Sequence, residues 1–181
     1  NAGEISNLLK NPDFKQGLTD WEVLGGMGTA KPENERIVLN IEKTSNGSNC
    51  KLQQPIRNLK VGHTYRFYFT AECENPQTRP FVISYRMRNK SKNLGLFKPV
   101  TVKKGVQKLF VELVPGLDSD DPDDPPVLSF YLGEIDGRIV LSELLLVDTG
   151  EIVSKTPPFS PEWTVFGLID PAAKAGDTIP A

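Results

Sequence analysis

Hydrophobic and polar residues alternate along most of this chain with the two-residue period of a half-buried strand. In ERIVLNIEK, Ile37, Leu39 and Ile41 fall on one face, while Arg36, Val38, Asn40 and Glu42 fall on the other. RFYFTAEC and FVISYRMR repeat the pattern, and Gly, Pro, Asn and Asp separate the runs. Strands are predicted near 7–10, 21–25, 36–43, 49–56, 64–73, 80–89, 98–103, 107–114, 127–133 and 138–147. No helix of normal length competes. Some eight to ten short strands in about 140 residues predict an all-β fold, an antiparallel β-sandwich of jelly-roll type with buried inner faces.

Two stretches break the alternation. LDSDDPDDPP, Leu117 to Pro126, carries prolines and like charges that forbid a central strand, so an exposed loop is expected. Its aspartates lack the turn glycine and distal glutamate of the helical calcium loop. From Gly150 the chain turns proline-rich. The predicted organisation is therefore a jelly-roll domain over 1–149, with 150–181 a linker or the start of a following domain. EWTVFG either packs back on the sandwich or belongs to that next domain.

Composition narrows the chemistry. The 181 residues suit one sizeable domain, and a net charge of −2 offers no global positive field for nucleic acid or an anionic membrane. No apolar run approaches the ~18 residues of a membrane span, and NAGEIS is too polar for a signal peptide's apolar region, which leaves open a leader removed before Asn1. The only histidine is His63 and the only cysteines are Cys50 and Cys73, which excludes a zinc cage of clustered thiolates and imidazoles. Both cysteines fall in phase with apolar residues. Two buried thiols or a disulfide satisfy this, the latter across a hairpin about NLKVGHT or across the core. Nucleophile elbow, zinc-protease and phosphate-loop motifs are absent, and Glu134 and Asp136 fall in a turn, so catalysis is not expected.

Strand phase also predicts what faces outward: Arg66, Tyr68 and Thr70; Val82, Ser84, Arg86 and Arg88; Ser129 and Tyr131. If these strands share the concave sheet, Arg66, Tyr68, Arg86, Arg88 and Tyr131 form a ligand-binding surface suited to a sugar. An aromatic ring stacks on the apolar side of a pyranose, and arginine offers forked donors to hydroxyls, carboxylates or sulfates. An acidic polysaccharide fits such a surface. Trp21 is expected in the core and Trp163 lies in the tail, so no exposed tryptophan platform is predicted. A groove or loop-end site for a soluble chain is favoured over a flat crystalline polymer.

NLLKNPDFKQGLTDWEV resembles the first strands of the jelly-roll carbohydrate-binding modules, galactose-binding-like β-sandwiches attached to bacterial polysaccharide-degrading enzymes. KLQQPIRNLKVGHTYRFYFTAEC is similar to the family's glutamine-containing strand, turn and following apolar strand, and GRIVLSELLLVDTG to its closing strand. The resemblance covers about residues 6–149. It implies a non-catalytic module that binds a polysaccharide or oligosaccharide, in one longer chain with a catalytic domain, in a secreted, periplasmic or cell-surface setting. The alternative is a structural jelly roll that packs on its catalytic neighbour without binding sugar. Family members often hold a structural calcium through a carboxylate after the N-terminal D-F pair and an aspartate on the closing strand. Here those places read Lys15 and Ser142–Glu143, which leaves Asp13 and Asp148 as the metal candidates and no cofactor as the expectation.

Overall fold

A computed structural model describes residues 6–90, 92–116 and 121–151, and the backbone of 163–166. Asp118, Asp120, the tail apart from 163–166, and the side chains of Trp163 and Phe166 lie outside the described residues. Among the described residues eleven strands are defined: β1 (Glu22–Leu24), β2 (Gly28–Glu33), β3 (Arg36–Ile41), β4 (Lys51–Pro55), β5 (His63–Cys73), β6 (Phe81–Met87), β7 (Asn93–Val100), β8 (Gly105–Leu113), β9 (Pro126–Tyr131), β10 (Gly137–Glu151) and β11 (Trp163–Phe166). They form two sheets, ordered β1-β4-β9-β6-β7 and β11-β8-β5-β10-β3-β2. Neighbours pair antiparallel except β11, which runs parallel to β8 along the edge of the second sheet. The predicted β-sandwich is the observed architecture.

The inner faces hold the in-phase residues. Phe67 and Phe69 of β5 meet Phe81 of β6 and Phe130 of β9 across the sandwich, with ring centroids 5.4–6.0 Å apart, and all four are buried. Each such ring contributes roughly 1.5–3 kcal/mol by leaving water. Trp21 is core, as expected; it packs on Phe14 and donates its Nε1–H to the Asn11 carbonyl at 2.9 Å.

Local departures from the sequence expectation have local causes. Residues 7–10 are no strand, because beyond one backbone bond from Leu8 N–H to the Leu146 carbonyl, side chains take the place of a ladder: Asn7 Nδ2 donates to the Leu144 carbonyl, Asn7 Oδ1 accepts from Leu146 N–H, and Gln54 bonds both backbone groups of Lys10. β10 carries Ile139 and Leu141 inward, then Leu144 and Leu146, a change of phase that needs one extra residue. A bulge between Ser142 and Leu145 supplies it, with Glu143 at φ +56°.

Of the two alternatives for the cysteines, the structure has the buried thiols and not the disulfide candidate Cys50–Cys73. β4 pairs with β1 and β9 while β5 lies in the other sheet, so no hairpin sets Cys50 opposite Cys73, and both are free, buried thiols. Burial, with the Glu72 charge adding to it, pushes the Cys73 thiol up to about 11, and burial raises Cys50 as well. Neither thiol should react with Ellman's reagent in the native protein at pH 8, and both should react after denaturation without reductant. Fast native labelling, or no thiols after denaturation, would contradict this assignment.

Candidate functional site

The outer face of the first sheet assembles from strand register. One row across it reads Leu24, Lys51, Tyr131, Val82 and Pro99; the next reads Glu22, Gln53, Ser129, Ser84 and Phe97. Arg86 and Arg88 follow along β6. The floor is small and polar, and long side chains rise around it. Phe97 is 57% exposed. Its ring meets Tyr131 edge-on at 6.4 Å. Lys51 Nζ lies 5.7 Å and the Arg86 guanidinium 5.9 Å from the centre of the Tyr131 ring.

The electrostatics of this face are uneven. Arg88 pairs with Glu22, and Gln53 Nε2 also donates to Glu22, at 3.0 Å. Lys51 and Arg86 instead share the Tyr131 ring as a neighbour. Burial, with the positive charge of Arg86 adding to it and Glu22 opposing, lowers the Lys51 ammonium below its ordinary value.

Of the five sequence-predicted ligand residues, the structure brings together three, Arg86, Arg88 and Tyr131. Arg66 and Tyr68 are corrected: β5 belongs to the second sheet, so they face away from that surface. Arg66 is only 6% exposed, forks onto Glu112 at 2.9 and 3.2 Å and lies 4.4 Å from the Phe110 ring, while Tyr68 packs on the same ring at 5.2 Å. Both side chains serve packing. Lys51 and Phe97 were not anticipated, although alternation through KLQQP puts Lys51 outside with Gln53.

The metal candidates find other partners. Asp13 accepts from Lys15 N–H at 3.2 Å and faces the Lys15 ammonium at 3.7 Å. Asp148 meets His63 Nδ1 at 3.0 Å and accepts from Gly150 N–H. Burial opposes ionisation of Asp148, but those hydrogen bonds and the charges of His63 and Lys60 outweigh it and hold its carboxyl below the ordinary range. Among the described residues no three His, Cys, Asp or Glu side chains group to hold a metal ion. A concavity of about 520 Å³ is bordered by Lys10, Arg57, Lys60 and Asp148. Its aromatic residue, Tyr65, is buried and uses its hydroxyl to accept from Lys60 N–H, so it offers no stacking face.

Residues 6–133 match the family described as carbohydrate binding domain. The chain belongs to that family. As a carbohydrate-binding module it has the expected structural company. A CBM4 structure superposes with a TM-score of 0.63 at 13% identity, covering 75% of this chain and 99% of the other. The second N-terminal cellulose-binding domain of Cellulomonas fimi β-1,4-glucanase C gives 0.62 at 16% identity, covering 80% and 95%. Identities this low establish a shared fold. Among curated proteins, translation initiation factor 5 of Caenorhabditis elegans is 27% identical over 120 residues, 66% of this chain and 26% of that protein. The module thus spans about a quarter of the curated relative it matches. No helix among the module's described residues is long and apolar enough to cross a membrane.

Proposed function

We propose that this carbohydrate-binding module holds an acidic polysaccharide chain on the outer face of the first sheet. The observation that carries the reading is the pair of cations around one ring: Lys51 and Arg86 both lie within 6 Å of the Tyr131 centroid, while Glu22 is engaged by Arg88 and Gln53. A sugar stacked against Tyr131 and Phe97 sets its carboxylate or sulfate between the two cations and relieves their repulsion. The site would act within a chain that carries no catalysis here and tethers an attached enzyme of an exported, polysaccharide-processing protein, raising that enzyme's effective concentration at its substrate. A fold shared with a cellulose-binding domain of a glucanase supports this placement. The competing reading, a scaffold for a neighbouring domain, draws on β11, which extends the second sheet away from the proposed face.

Native affinity gels containing polygalacturonate, alginate, mixed-linkage β-glucan or hydroxyethyl cellulose test both readings. Retardation by the acidic polymers is expected, weakened several-fold by Lys51→Ala, by Arg86→Ala and by 0.5 M salt, since exposed charge attraction is screened over a few ångströms there. Retardation by neutral polymers alone would reject the acidic ligand. No retardation by any of them would favour the scaffold.

A further inference from the structure

The polar floor of the binding face is a relay with one member left out. Ser129 Oγ donates to Gln53 Oε1 at 3.0 Å, Gln53 Nε2 donates to Glu22 Oε1, and Glu22 pairs with Arg88. Ser84 stands directly across the ladder from Ser129 and is fully buried. Its Oγ has no hydrogen-bond partner in the protein. A buried hydroxyl without a partner loses its hydration and gains nothing in return, so it weakens the fold. Such a defect on the outer face of the sheet, away from the core between the sheets, points to a partner from outside.

The roof over this position is aromatic. Phe97 is on β7 and Tyr131 on β9, the two neighbours of β6, so the contact between their rings has to pass above β6, over Val82 and Ser84. One of the two rings is largely exposed and neither is locked in the core.

We propose that Ser84 is a specificity-determining residue: a sugar that separates Phe97 from Tyr131 delivers a ring hydroxyl to the Ser84 Oγ, with Ser129 across the slot offering a second acceptor. This rests on the assignment of the glycan to this face and deepens it by naming the ligand class. The slot takes a saccharide unit with an unsubstituted hydroxyl on the edge that meets the sheet. A polymer acylated at its ring hydroxyls presents neither donor nor room.

The test compares wild type with Ser84→Ala for thermal unfolding and for binding to polygalacturonate and alginate, each native and O-acetylated. Expected are a Tm raised by roughly 2–4 °C on removal of the unpaired hydroxyl, a roughly 3- to 10-fold loss of affinity for the native polymers, and a preference for native over acetylated polymer that shrinks in the variant. Unchanged affinity and preference in Ser84→Ala would overturn the role of Ser84 while leaving the binding face intact. A lowered Tm would overturn it too, by showing the hydroxyl bonded in the unliganded protein. Failure of wild type to bind either polymer would strike the assignment of the face itself, and the inference with it.

Discussion

Phe130→Ala is expected to cost about 3–5 kcal/mol of folding stability, the range for deleting a buried phenylalanine ring. Phe130 is 1% exposed and stands where the sheets meet, with Phe67 and Phe69 at 5.4 Å and Phe81 at 5.9 Å. Those neighbours sit on strands of both sheets, each fixed by its own ladder, so the void left by the ring cannot close by moving one side chain. A domain of this size has about 5–15 kcal/mol in total, so the loss removes about a fifth of it or more. Calorimetry should show Tm falling on the order of 10 °C. A fall under 2 °C would mean that the packing of the four rings is wrong. Phe97→Ala makes the contrast: its exposed ring contributes little to the fold, and Tm should move by no more than about 2 °C.

The part of this structure legible in the sequence is the part encoded locally. Alternation alone placed Phe67, Phe69, Phe81, Ile83, Leu128 and Phe130 inward, and the core contains them all. β2 escaped, because GTAKPE has no apolar phase; its position comes from pairing with β3, and as an outer strand it tolerates Pro32. β7 was expected to begin only near 98, since Gly95 interrupts it. That glycine sits at φ +136°, and a Cβ there would run into the Val114 carbonyl, so it is a close approach between chain segments within a strand. Starting the strand too late hid Phe97. The larger miss was sheet membership. Arg66 and Arg86 have the same local signature, an arginine out of phase with aromatic neighbours, yet β5 and β6 are adjacent in sequence and sit in opposite sheets. Which strand crosses over is decided by pairing between segments far apart in the chain, and no window of alternation contains it. Two of the five predicted ligand residues, Arg66 and Tyr68, therefore fell on the wrong side. The residues that share the face with Arg86, namely Lys51 on β4 and Tyr131 on β9, are joined to it through the β4-β9-β6 ladder.

That ladder makes Tyr131 the residue whose loss should hurt binding most. Its ring is the common neighbour of Lys51, Arg86 and Phe97, so truncation removes the stacking surface and at once lets the two cations relax out of position. Aromatic anchors at the centre of a contact are typically worth 2 kcal/mol or more, and Tyr131→Ala should therefore weaken binding to polygalacturonate or alginate by roughly 30-fold. Lys51→Ala or Arg86→Ala should each cost less, because one cation remains beside the ring. Tyr131→Phe separates stacking from the hydroxyl: it keeps the ring and should retain affinity within about threefold. Isothermal titration with oligomers of these polymers gives the numbers, and unfolding curves recorded alongside distinguish lost contact from lost fold, since a half-buried ring on the outer face contributes little to the core. Should Tyr131→Ala bind as wild type does, the sugar is not on this sheet, and the basic concavity bordered by Lys10, Arg57 and Lys60 becomes the place to mutate next. A loss confined to Tyr131→Ala and spared in Tyr131→Phe would instead identify ring stacking, with the cations selecting charge, as the basis of recognition.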